Sequence, residues 1–205
     1  DVQDSLAARA ELRAMLQRLA ALPKENVEIA KRYANDSASL DYISSYIGQE
    51  NSLLVRQAAE IARRLPPDQV TSTEYFAIAL ALQHSDDIPA ALPFAEQAVK
   101  RATDVVSELV ALREYAGMLF WAGQPELGRA QYQAALEVFD RYPNYGDLFQ
   151  VQAQVYTQLH WANVEAAHGF ADLAREHIAA AELALEGLPS SLGEGFLKNR
   201  FAAQE

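Results

Sequence analysis

The 205-residue sequence contains no cysteine. A disulfide framework and a thiolate metal site are both excluded. Glycine and proline are scarce, at nine and eight residues. Most of them fall between helical stretches, and no segment reads as a flexible linker. Strand-like alternation is nearly missing. No apolar run approaches the ~20 residues that cross a bilayer as a helix, and no signal peptide is visible. The chain begins at Asp1 rather than Met. The expected setting is soluble and cytoplasmic, with a removed upstream signal or anchor as the alternative.

Positive charge is also short. Lys and Arg total 17 against 28 Asp and Glu, a formal net charge of -11. From Asp1 to Leu65 there are nine basic and nine acidic residues; from Pro66 to Glu205 there are eight and nineteen. The whole excess therefore sits in the later part. An acidic surface repels phosphate backbones, which argues against nucleic acid as a partner. It favours a basic protein segment, and it also keeps the chain soluble.

What is present is alanine and helical period. Alanine supplies 38 residues, and it is both the best helix former and small enough to let helices approach closely. Apolar residues recur at spacings of three and four almost throughout, which predicts eleven helices: 2–21, 25–35, 38–47, 52–65, 71–84, 88–102, 104–122, 125–141, 147–168, 171–187 and 192–203. Pro23 is expected to stop the first helix, and Pro66-Pro67 the fourth. Asp36 or Ser37 can cap the third, Thr71-x-x-Glu74 reads as a capping box, and Asp147-x-x-Gln150 reads as a variant of one. Pro93 should delay or bend the helix that holds it. Gly169 falls where a left-handed residue closes a helix. Short connections make neighbouring helices antiparallel.

Three of the helix pairs share a register. Asp86, Gly123 and Gly169 each open a second helix. A small residue follows five positions later, at Ala91, Gly128 and Ala174. Alanine follows twelve positions later, at Ala98, Ala135 and Ala181. Ala79, Ala116 and Ala162 each lie nineteen residues before the last of these, directly after Ile78, Tyr115 and Trp161. Small residues on both helices let the axes approach, and the bulky neighbours fill the remaining space. This pattern, from about Ser72 to Leu185, resembles the tetratricopeptide repeat, whose unit is about 34 residues. A weaker fourth unit, with Ala62 in the last-alanine place, covers 38–65. The departures are that Ala62, Ala98, Ala135 and Ala181 are 36, 37 and 46 residues apart, and that the usual proline after the second helix is missing or displaced.

The resemblance implies an all-α, right-handed superhelical solenoid of ten to eleven helices in antiparallel pairs, forming one domain over 1–205. Residues 1–35 would be N-terminal helices, and 188–205 a capping helix with the apolar stripe Leu192, Phe196, Leu197 and Phe201. It also implies a concave face made by the first helix of each pair. The residues expected there are Phe76, Leu80, Gln83, His84, Arg113, Gly117, Phe120, Trp121, Tyr156, His160 and Asn163. Peptide-binding members of the family often carry Asn, Lys and Arg at such places; here only Arg113 and Asn163 match, so a full carboxylate clamp is not expected. A mixed aromatic and polar groove remains, suited to a peptide or helix of a partner. The bland alternative is that Phe120, Trp121 and Tyr156 are packing.

Catalytic signals are few. Glu165-x-x-His168 has the spacing of a bundle metal motif, but such sites need it twice with two further Glu, and it occurs once. No phosphate-cradling glycine loop and no Gly-x-Ser-x-Gly elbow appears. The expected function is a non-enzymatic scaffold or adaptor with no cofactor and no metal. The alternative is a self-assembling module, a homodimer within a larger or membrane-anchored protein, joined through the tail or through the first helix with its Leu6, Leu12, Met15, Leu16, Leu19 and Leu22.

Overall fold

The computed structural model describes the backbone of residues 2–32 and 37–186, and the side chains of 3–22 and 51–186. Nine α-helices and no strand occur among the described residues. The chain divides into two compact units, Asp1–Thr103 and Asp104–Glu205.

The first unit holds α1 (Val2–Arg32), α2 (Ser37–Arg64), a 3-10 turn at Pro67–Gln69, α3 (Ser72–His84) and α4 (Ile88–Lys100). Helix α1 packs on α2, α2 on α3, and α3 on α4. Two expectations need correction here. Pro23 does not stop the first helix, which runs on to Arg32. A proline removes one rung of the hydrogen-bond ladder, and the rungs on either side carry the helix past it. Likewise 38–47 and 52–65 are one helix, because Gly48 is a weak helix former rather than a stop. The capping box forms as expected: the Glu74 amide donates to Thr71 Oγ1 at 3.2 Å, and the Thr71 amide donates to Glu74 Oε2 at 2.9 Å. Arg9 of α1 also reaches Glu74, at 2.5 Å, and ties α1 to the start of α3. Pro93 does not delay α4, which starts at Ile88 behind the Asp87 cap. Pro89 and Pro93 both lie on its exposed side, where the carbonyl left without an N–H can meet solvent.

The second unit holds α5 (Val105–Trp121), α6 (Pro125–Leu136), α7 (Val138–Arg141), α8 (Asp147–Ala167) and α9 (Ala171–Glu186). Helix α5 packs on α6 and α8 on α9, and α8 also meets both α5 and α6. The single helix expected over 125–141 is broken at Glu137. The break re-aims the chain so that Val138 is fully buried and Phe139 meets Tyr145 and Phe149. The capping box expected at Asp147 does not form. Gly146 is the cap residue, and Gln150 Nε2 donates to the Tyr145 carbonyl instead.

The shared register is visible in three hairpins, α3–α4, α5–α6 and α8–α9. Asp86, Gly123 and Gly169 all have left-handed backbone, with φ of 57°, 74° and 85°. In each turn the amide after that residue bonds back five positions, from Asp87 to Leu82, Gln124 to Leu119, and Phe170 to Glu165. This closure satisfies carbonyls that a helix end would leave open. All nine small residues of the register are buried. At Gly128 the approach is closest. A Cβ there would lie 2.5 Å from Phe120 Cδ2 and 2.9 Å from the Ala116 carbonyl oxygen. Residues 192–203, the expected capping helix, lie outside the described residues.

Candidate functional site

The candidate face in the second unit runs along α5 and α8. On α5, residues 113, 117 and 121 recur every four positions and share one stripe. On α8, Tyr156, His160 and Val164 do the same. The two stripes meet at Gly117, where a Cβ would be at ordinary contact distance, 3.5 Å from His160 Cε1, 3.7 Å from the Tyr132 hydroxyl and 3.9 Å from a Val164 methyl.

His160 is the centre of the seam. Its Nδ1 is 2.8 Å from the Tyr132 hydroxyl, and its Nε2 is 3.6 Å from Glu114 Oε1. Burial holds the imidazole below its ordinary pKa; the Glu114 carboxylate opposes that shift and the Arg113 guanidinium adds to it. Burial likewise raises the Tyr132 phenol. At neutral pH the ring is therefore uncharged, and the seam carries Arg113 and Glu114 as its charges. At the far end Trp121 is 59% exposed and meets His168 edge-on, with ring centroids 4.5 Å apart. At the near end Tyr156 is 40% exposed.

Beneath the seam lies a network that sequence reasoning missed. The Glu165 side chain is fully buried, and Arg129 holds it with two hydrogen bonds, Nε to Oε1 at 2.8 Å and Nη2 to Oε2 at 2.9 Å. Trp161 Nε1 donates to the same Oε1 at 3.0 Å. Burial pushes the Glu165 carboxyl up, but the bonds from Arg129 and Trp161 and the Arg129 charge outweigh it, so the net shift is downward. The Arg129 guanidinium lies over Phe120 and Phe170, 5.6 and 4.7 Å from the ring centroids. Phe120, Tyr132, Trp161 and Ala116 form the core under it. One signal was available. Glu165 lies one helical turn after Trp161, on a stripe already assigned to the core, and a charge placed there needs a partner.

Of the expected site residues, the structure brings Arg113, Gly117 and His160 together and leaves Trp121, Tyr156 and Asn163 accessible on the same two helices. Phe120 is a correction. It is 1% exposed, because Gly128 lets α6 close over its ring. Phe76, Leu80 and Gln83 are half-buried and His84 is exposed, all on α3 of the first unit. Glu165 and His168 do not form a metal pair. Arg129 occupies the carboxylate, and His168 Nδ1 donates to the Val164 carbonyl at 2.8 Å. No cluster of three metal-ligating residues occurs among the described residues. No described helix is long and apolar enough to cross a membrane.

No family model matches the chain, and no curated protein matches it. Among solved structures it is similar to BtubC (BKLC) from P. vanneervenii, with 14% identity and a TM-score of 0.36 over 87% of this chain and 93% of that one.

Proposed function

We propose that the chain is a non-enzymatic, tetratricopeptide-like interaction module that holds a peptide or helix of a partner protein against the α5–α8 face. The observation that carries this reading is the seam itself. A large aromatic residue is accessible towards each end, Trp121 and Tyr156, with Arg113, Glu114 and His160 between them. Accessible aromatic and Arg side chains are the usual anchors of interfaces. The Arg129–Glu165 pair lies beneath the seam and ties α8 to α6, the hairpin partner of α5. The acidic excess after Pro66 favours a segment with basic residues.

Peptide-display selection on the whole chain, counter-selected against the Trp121→Ala/Tyr156→Ala variant, tests the assignment. Peptides that bind the wild type and lose at least about tenfold in affinity for the variant, equivalent to 1.4 kcal/mol, support it. Equal binding to both chains places recognition elsewhere.

A second reading, a homodimer, is favoured by Leu6 on α1 and Leu53 on α2, which are 65% and 58% exposed. Light-scattering mass across a wide concentration range decides it. A constant monomer mass removes this reading, and a dimer lost in Leu6→Glu/Leu53→Glu supports it.

A further inference from the structure

His160 and His177, both half-buried and His160 34% exposed, stand at the two ends of a row of four rings in the second unit. The His160 ring is 5.7 Å from Tyr132, centroid to centroid. Tyr132 stacks on Trp161 at 5.1 Å and 14°, and Trp161 stacks on His177 at 3.8 Å and 25°. The row draws on three helices: Tyr132 from α6, His160 and Trp161 from α8, and His177 from α9. Both histidines are fixed by hydrogen bonds. His160 Nδ1 meets the Tyr132 hydroxyl. His177 Nδ1 meets Gln158 Oε1 at 2.8 Å. Because that oxygen can only accept, the neutral His177 ring carries its hydrogen on Nδ1, and acid adds the second proton at Nε2.

Charged groups act on the two rings in both senses, and at each ring the carboxylates outweigh the guanidinium. Glu114 on α5 faces His160, and Arg113 beside it acts in the opposite sense. Around His177, Glu165 on α8 and Glu176 on α9 favour a cation, while Arg129 on α6 disfavours one. Both oxygens of Glu165 are already taken by Arg129. Opposing the carboxylates is the partial removal of each ring from water, which acts against the imidazolium form. In both histidines burial is the largest influence, and the net shift is downward.

We propose that this ring row is a proton-operated latch: it closes the α6–α8–α9 packing with neutral imidazoles and loosens the second unit when His160 and His177 take up protons. The inference goes beyond the groove reading and does not rest on it. The sign follows from linkage. Folded rings bind protons less readily than unfolded ones, so below the ordinary histidine value of 6.5 the unfolded chain carries more protons. Stability is full above that value and falls as the pH drops beneath it.

The test uses the whole chain. Histidine ring signals are titrated by NMR from about pH 8 to pH 5, with and without denaturing urea, and assigned with His160→Gln and His177→Gln. The expected result is that both rings titrate at lower pH in the folded chain than in the unfolded one. The urea midpoint should also fall between about pH 7 and pH 5.5, and that fall should be at least halved in the double variant. Rings that titrate at or above their unfolded values overturn the proposal. So does a double variant whose midpoint falls as steeply as the wild type. The titration of the wild-type rings stands by itself if the double variant does not fold.

Discussion

Arg129 on α6 grips Glu165 on α8 through two nearly equal hydrogen bonds, 2.8 and 2.9 Å, with the carboxylate shut away from solvent. The pair links the second helix of one hairpin to the first helix of the next. A fork of two parallel bonds fixes direction as well as distance, so it sets the register between hairpins more narrowly than apolar contacts alone.

Removing Arg129 leaves the Glu165 charge buried, whereas removing Glu165 leaves Arg129 21% exposed and still paired with Glu126. Arg129→Met should cost about 3–5 kcal/mol and Glu165→Gln less, and replacing both by apolar residues of similar volume should cost clearly less than the two single losses added together. Urea unfolding of the four chains reads this directly. Simple additivity would show that the pair is not coupled.

The two buried helical glycines should respond in opposite ways. Gly128→Ala drives a Cβ into Phe120 and the Ala116 carbonyl, and should destabilise by about 1–3 kcal/mol. Gly117→Ala meets its nearest neighbour at an ordinary 3.5 Å, and should be neutral or gain up to about 1 kcal/mol in helix propensity. Thermal unfolding of the two variants side by side checks the contrast.

At the three left-handed turn positions the two native glycines mark the better choice. Asp86 sits at φ 57° with a side chain in place, so Asp86→Gly should stabilise by roughly 0.5–1 kcal/mol, while Gly123→Ala and Gly169→Ala should each cost about 1–2 kcal/mol. A destabilised Asp86→Gly in calorimetry would mean that the aspartate contributes more than its backbone conformation costs.

A second acid window should follow the carboxylates. Burial raises Glu74 and Glu165, but their hydrogen bonds win and both end below the ordinary 4.5. Their contribution is present above that value and is lost as the pH falls through the lower folded values. In Glu165→Gln the stability lost between about pH 4.5 and pH 2.5 should be smaller than in the wild type, as measured by circular dichroism.

The turns and the small residues were legible because a left-handed residue and a close helix approach each restrict the residue type locally. Asp86, Gly123 and Gly169, with the alanines placed after them, reported both features. Boundaries that depend on continuity were harder to read. Pro23 looks like a stop but costs only one rung of a long helix, and Glu137 keeps helical backbone although the helix is interrupted there. The proposed site residues differ in exposure on α5 and α8. Trp121, Tyr156 and Asn163 are exposed and Arg113 and His160 half-buried, while Phe120 is buried, because a one-residue step around a helix turns the side chain by about 100°. Local pattern shows that Glu165 needs a partner but not that the partner is Arg129, since the two are 36 residues apart and meet only through packing.

We propose that the α5–α8 face receives a partner. A photo-crosslinking amino acid placed at residue 156 in the whole chain, with a control at exposed Gln133 on α6, tests it most directly in cells. The account predicts a discrete protein adduct from position 156 that is lost on adding Arg113→Ala and Trp121→Ala, and none from position 133. No adduct at 156, or the same adduct from both positions, would contradict it.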